Sequence, residues 1–480
     1  MLNKKVICFY LLIMLPIILW LSCAVNPVTG KHEFMLLSRA DEIALGKQTD
    51  QEIIEMYGIY QDESLQTYIN RIGSQMTPLT HQPDLPYSFK VLDTDVINAF
   101  AVPGGFVYFT RGILAYLNNE AELAGVMGHE LGHVNARHSA KALSKAQLAQ
   151  LGLQLGAAVS ETFAKLSGLA GFGVQMLFLR FSRDNEREAD NLGVEYASRA
   201  GYDAVGMATF FQTLERMHPS SDSGLPDWFS THPDPDDRIA AVTQKTKEWQ
   251  SRLKGKKFVL NRNSYIKSID GLLFGPDPRQ GYIEALVFYH PNMRFQFPLP
   301  AQWQINNLPS QVQMVAPQEN AVILFTLAKG TSLSDAADQF LQNTEATALE
   351  QNPITIHGFK ALEMVSEISG EQPLKLLSTF IQQEDRIFVF HGYSSPEEFN
   401  NQLPVFKKSM TGFKKLTNSN KINVKPKRLY VKTVNQSTSL LQYMNLQKVD
   451  SQDHDAVEMM NGLTLNSTLK KGDQIKIIKK

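Results

Sequence analysis

The segment His129-Glu130-Leu131-Gly132-His133 sets two imidazoles four residues apart, with a carboxylate directly after the first. On a helix, positions four apart share a face, so both rings can approach one metal ion while Glu130 stands beside it to move a proton. With 11 His in 480 residues, such a pattern arises by chance in roughly one chain of this length in a hundred. The chemistry it suits is metal-assisted hydrolysis, in which zinc takes three protein ligands and keeps a fourth position open for water.

The third ligand must lie elsewhere. His138 is a poor candidate, because the extended three-histidine pattern puts Gly three and His six residues beyond the second histidine, where this chain has Ala136 and Ser139. His138 reads instead as an exposed or hydrogen-bonded helix residue. A carboxylate from a second helix is the other source. The run from Phe181 to Asp190 carries Glu186 and Asp190 on one face, so Glu186 can reach a metal while Asp190 accepts a hydrogen bond from a ligand imidazole. Glu188 points away from that face. Taken alone, an acidic cluster on a helix is more often a solvated surface.

Together these residues resemble family forty-eight of the metallopeptidases, which are HExxH gluzincins, and within it the periplasmic BepA group and the Oma-type zinc metalloproteases. The resemblance rests on His129 to His133, Ser182-Arg183, Glu186 and Ala189-Asp190. It is extended by Asn26-Pro27-Val28-Thr29-Gly30, by Asn98-Ala99-Phe100-Ala101 with Pro103-Gly104-Gly105, and by Thr231-His232-Pro233 with Arg238. It covers about Asn26 to Arg252. It implies one zinc ion per chain, endopeptidase activity, and Glu186 as the third ligand beside His129 and His133. Glu130 is then the catalytic base, with Asp190 and Arg238 behind the ligands.

The match at Thr231-His232-Pro233 argues that this loop packs beside the metal, although a histidine in a Pro-rich turn is often a surface residue. His232 could act in catalysis by hydrogen-bonding the oxyanion, or could occupy zinc's open position and exclude water. An uncharged imidazole is a good zinc ligand at neutral pH, which favours the second role. One departure from the BepA group is plain. That group carries helical repeats after its catalytic domain, and no such repeat is visible here.

The elements that must position these residues follow from spacing. Apolar residues from Asp41 to Met76 recur at helical intervals broken near Gly58, which predicts two helices. Residues 87–110 have strand composition, with Pro103, Gly104 and Gly105 between Phe100–Val102 and Phe106–Phe109, which predicts a hairpin or bent strand pair. Either run could offer an edge to an extended substrate. A helix starting near Asn119 is expected to carry His129 through His138. Residues 142–181, rich in Leu, Ala and Gly, read as core or hairpin helices, with a lid or membrane-surface segment as the alternative. A helix from Arg183 to Ala200 should stop at Gly201. Another should start at a cap on Asp234, with Pro235 in its first position, and run towards Lys254.

The fold expected is a mainly α catalytic domain with a small β-hairpin or sheet (26–255), followed by an α/β or α+β domain (265–415) and a basic linker (416–438). The linker overlaps Lys407–Lys432, a stretch that holds nine basic residues and no acidic one. A solvated segment is the plainer reading; contact with an anionic polymer or lipid is the other. Residues 439–480 look like a small LysM-type domain, which would bring peptidoglycan contact.

The first 23 residues, with Lys4 and Lys5 before an apolar run from Val6 to Leu21, have the layout of a signal peptide. Cys23 then resembles a bacterial lipidation site, although Trp20 and Leu21 replace the usual Leu and small residue. Expected localisation is therefore the periplasm, attached to the outer membrane as a lipoprotein, with an uncleaved inner-membrane anchor as the alternative. With 47 basic and 48 acidic residues, the charge balance gives no basic face for nucleic acid. Expected substrates are unfolded or misassembled envelope proteins. The rival reading is an envelope-bound, chaperone-like scaffold whose zinc site is latent or structural.

Overall fold

The computed structural model describes residues 23–152, 180–217, 228, 232, 237–308, 310–370 and 373–480. They divide into two units: residues up to Gly275 joined by Arg428–Lys479, and Pro276–Lys427.

In the first unit the two expected helices span Arg39–Tyr57 and Glu63–Met76. Ser38 and Asp41 close a capping box at the start of the first, and Gly58 ends it at φ 68°. Side-chain caps of this kind satisfy amide groups that the first turn leaves unpaired. The expected strands form a three-stranded sheet with Phe106–Thr110 in the centre. That strand runs parallel to Ser88–Leu92 and antiparallel to Ala99–Val102. Gly104 and Gly105 make the turn at φ 84° and 99°, conformations that cost glycine least. Ala99–Val102 is thus an edge strand and Phe106–Thr110 is not.

The HExxH helix spans Glu120–Asn135, and all of its residues are buried. Asn119 caps it by accepting from the Glu122 amide, and Glu122 in turn accepts from the Asn118 amide. Contrary to expectation, this helix does not carry His138. Arg137 takes φ 57° and a new helix, His138–Gly152, begins. At this break the Arg137 guanidinium is buried against Glu42 and donates to the Leu37 carbonyl, contacts with a distant part of the chain that hold the turn.

The acidic helix spans Arg183–Ala200, with Ser182 as its cap and Gly201 ending it at φ 94°, as its sequence predicts. It lies against the HExxH helix where glycines face each other. A Cβ on Gly193 would sit 2.8 Å from the His129 amide nitrogen, and one on Gly132 would sit 2.9 Å from the Ala189 carbonyl. Backbones can approach this closely only where no side chain intervenes. The helix Arg238–Arg252 starts at Asp237, later than expected; the expected cap at Asp234 and Pro235 falls outside the described residues. Most of the expected 142–181 helices also fall outside them.

The second unit is α+β. Seven antiparallel strands run in the order Thr347–Ile356, Phe359–Ile368, Leu374–Gln383, Arg386–Ser394, Ala321–Ala328, Gln311–Val315, Gln304–Leu308. Helices Leu333–Thr344 and Pro396–Thr411 accompany them. Its core is aromatic, with Phe295, Phe297, Phe325, Phe388, Phe390 and Phe413 in mutual contact.

The C-terminal segment is a strand (Arg428–Thr433), two helices (Leu440–Leu446 and His454–Asn461) and a strand (Gln474–Lys479) paired antiparallel to the first. Two expectations differ from this. The stretch read as linker contributes Arg428–Thr433 to the first strand, and residues 439–479 pack into the first unit. Lys476 is fully buried there and donates to the carbonyls of Ala115 and Leu117.

Candidate metal centre

Four side chains from three parts of the chain converge. His129 and His133 come from one face of the HExxH helix, Glu186 from the first turn of the acidic helix, and His232 from six positions before Arg238. All four are buried. Among the described residues, they are the group of His, Cys, Asp and Glu side chains close enough to hold one ion. The two histidine Nε2 atoms lie 3.0 Å apart. His232 Nδ1 is 3.3 Å from His129 Nε2 and 3.2 Å from Glu186 Oε1. Glu186 Oε1 is 3.4 Å from His133 Nε2, and Oε2 is 3.5 Å from His129 Nε2. Ligands at the corners of a tetrahedron around zinc, with bonds of about 2.0–2.1 Å, stand about 3.3 Å apart. The observed spacings therefore fit a zinc ion with four protein donors.

The chemistry of the donors points the same way. His129 Nδ1 lies 2.8 Å from Asp190 Oδ1, a carboxylate oxygen that can only accept, so Nδ1 carries the proton. The Nε2 lone pair of His129 then faces the site, where the Glu186 carboxylate also points. Such a set of converging lone pairs needs positive charge among them. Short of a metal ion, a proton on His129 meets that need: burial lowers its proton affinity, yet the hydrogen bonds to Asp190 and Glu186 outweigh it and raise its pKa to about 9. Glu186 behaves in the complementary way: burial opposes its ionisation, but His232, His129 and His133 hold it well below the usual carboxylate range. Burial keeps both His133 and His232 neutral by lowering their pKa values, which is the form that ligates metal.

Behind the ligands, Arg238 clamps Asp190 with two hydrogen bonds of 2.8 and 2.7 Å. Its third nitrogen lies 3.4 Å from Glu186 Oε2, and its guanidinium carbon stands 4.1 Å from the centre of the Phe211 ring. One buried cation thus orients both acidic residues of the second helix. Glu130 follows His129 and is buried beside the ligand cluster. Burial pushes its pKa up to about 8, and a hydrogen bond from the Ala101 backbone works against that rise. Glu130 Oε1 lies 3.7 Å from His232 Nε2, and neither atom has a hydrogen-bond partner among the described residues. The Ala101 contact also brings the edge strand Ala99–Val102 beside the carboxylate.

Every residue singled out from the sequence, namely His129, Glu130, His133, Glu186, Asp190, His232 and Arg238, is in this cluster. Two neighbours were not anticipated. Trp228 is fully buried and stacks on His232, ring centres 4.3 Å apart. Phe181 lies 4.2 Å from the His133 ring. A tryptophan inside an otherwise polar, Pro-rich stretch was the signal for the first; nothing in its local pattern distinguished Phe181. His138 is buried and hydrogen-bonded, to His133 Nδ1 at 2.9 Å and to Glu188 at 3.1 Å. Of the two readings offered for it, the exposed one does not hold.

Residues 63–246 match the family model described as peptidase family M48. Among curated proteins, the beta-barrel assembly-enhancing protease of Yersinia pestis is 31% identical over 46% of this chain and 47% of its own length. Its namesake from Escherichia coli strain K12 is 30% identical over the same shares. The mitochondrial metalloendopeptidase OMA1 of Schizosaccharomyces pombe is 30% identical over 46% of this chain and 65% of its own length. The chain spans about half the length of the first of these relatives.

Proposed function

With residues 63–246 forming a domain of peptidase family M48, we propose that this protein is a zinc-dependent metalloendopeptidase of the bacterial cell envelope. The observation that carries the reading is the convergence of His129, His133, Glu186 and His232, whose donor atoms lie within 4.8 Å of one another, with the buried carboxylate of Glu130 next to them. A structural zinc site needs no such base, which weighs against the scaffold reading.

Zinc bound there supplies a Lewis acid for the scissile carbonyl and lowers the pKa of its water to about 7. Glu130, buried beside the ligands, accepts the proton of the attacking water and delivers it to the leaving amine. Asp190 holds the His129 ring in the Nδ1–H tautomer, and Arg238 holds Asp190. The edge strand Ala99–Val102 offers backbone hydrogen bonds to an extended peptide beside Glu130. Such recognition selects unfolded segments, and two relatives are named for β-barrel assembly, so misassembled envelope proteins are the substrates we favour.

His232 takes the position that water must enter, stacked on Trp228 with Nδ1 turned to the ligands. We read the enzyme as latent until this ring withdraws. No helix among the described residues is long and apolar enough to cross a membrane. Attachment through a lipid on Cys23, location at the outer membrane, and peptidoglycan contact through a LysM-like 439–480 complete the proposal.

The test is proteolysis of an unfolded protein by the purified chain. Cleavage should stop on chelation, return with zinc, and rise or hold in His232→Ala with zinc retained. A hundredfold fall in His232→Ala would place the ring in catalysis rather than at the gate. Absence of zinc from the purified wild type would sink the reading as a whole.

A further inference from the structure

The second imidazole of the HExxH motif is held in a way the motif does not describe. His133 turns Nε2 to the ligand cluster and Nδ1 to Nδ1 of His138, 2.9 Å away. His138 in turn sets Nε2 3.1 Å from Glu188 Oε2. His138 is buried while the Glu188 side chain is 29% exposed. The three groups thus form a line from the site to the edge of solvent.

Donor and acceptor roles along this line are determined. A carboxylate only accepts, so Nε2 of His138 donates to Glu188. The neutral ring of His138 then has a lone pair on Nδ1, and His133 must donate to it from its own Nδ1. That leaves Nε2 of His133 unprotonated and aimed at the other ligands. His129 reaches the same state through Asp190 directly. The two metal-facing histidines are therefore fixed by two different devices, a carboxylate for His129 and a carboxylate acting through a second imidazole for His133.

The turn at Arg137 makes the second device possible. Were the HExxH helix continuous, His138 would lie five residues beyond His133 and point to another side of the helix. The left-handed residue at Arg137, locked by Glu42, restarts the chain so that His138 folds back onto His133. Its ring centre is 4.9 Å from that of His133.

We propose that His138, oriented by Glu188, is a positioning residue for zinc: it selects the ligating tautomer of His133 and holds its ring in place. This rests on the zinc reading given above. Loss of a hydrogen-bond partner behind a ligand histidine weakens metal binding by about 10–100-fold. Asparagine places an acceptor oxygen where Nδ1 stands, whereas leucine fills similar space with no acceptor.

Zinc affinity is measured by chelator competition on the full chain for wild type, His138→Leu, His138→Asn and Glu188→Gln, with thermal unfolding of each metal-free form as control. His138→Leu should lose about 10–100-fold in affinity, and His138→Asn should recover most of it. Glu188→Gln should show a smaller loss, since its amide still offers an oxygen to accept from His138. The proposal is overturned if His138→Leu binds zinc as wild type does, or if His138→Asn loses as much as His138→Leu. Should His138→Leu fail to fold, His138→Ala, which also lacks the acceptor, takes its place: a loss of about 10–100-fold supports the proposal, and wild-type affinity overturns it. A wild type that binds no zinc would instead defeat the zinc reading itself.

Discussion

At the scale of residues, two glutamates on the acidic helix have opposite dependence on the ion. Glu186 is fully buried and points into the ligand cluster, whereas Glu188 lies two positions on and meets only the outer ring of His138. Glu186→Ala should therefore lose zinc by more than the ~100-fold typical of outer partners, while Glu188→Ala still takes up one ion when zinc is in excess. Metal analysis of both purified variants checks this, and equal zinc contents would refute the assignment. Most of this site was legible in the sequence because its chemistry is local: two histidines four apart on a helix, and Glu186 and Asp190 four apart on another. What was not legible came from distant sequence. His138 reaches His133 because the chain breaks at Arg137, whose guanidinium pairs with Glu42, a partner 95 positions away.

At the scale of elements, the centre depends on how closely two helices approach. Gly128 and Gly132 face Gly193 and Ala189 across the contact, and any side chain there meets backbone, not a flexible neighbour. Gly193→Ala should force the helices apart beside His129. The expected cost is about 1–3 kcal/mol, typical of overpacking, with weakened zinc binding, because Glu186 moves with its helix. Chemical unfolding of the metal-free protein and zinc competition measure the two effects, and an unchanged variant in both would show that the contact is not tight. The ends of these helices could be read from Asn119, Ser182 and Gly201, since caps are written in single residues. Their mutual approach could not, because a glycine in a helix pattern reads the same whether it faces a neighbour or water.

At the scale of the whole molecule, the C-terminal segment is part of the first unit. Lys476 buries its ammonium under the carbonyls of Ala115 and Leu117, just before the HExxH helix, and Arg262 donates to the Gln474 carbonyl. Burial lowers the Lys476 pKa well below its usual value. Lys476→Met would leave both carbonyls without that donor and should destabilise the unit by about 1–3 kcal/mol. Thermal unfolding would show a lower transition, and an unchanged one would mean that the segment is only loosely attached. A basic run followed by a compact pattern suggested a linker and an independent domain; the contact that joins the segment to residues 115 and 117 spans most of the chain and leaves no local trace. The account as a whole stands on Glu130 as the base of a zinc peptidase, and the direct test removes only that carboxylate in the unlatched His232→Ala background. Glu130→Gln there should keep one zinc per chain and lose at least about a hundredfold in cleavage of an unfolded protein, in line with the loss of a general base. Cleavage at the rate of the His232→Ala parent, with zinc retained, would contradict it.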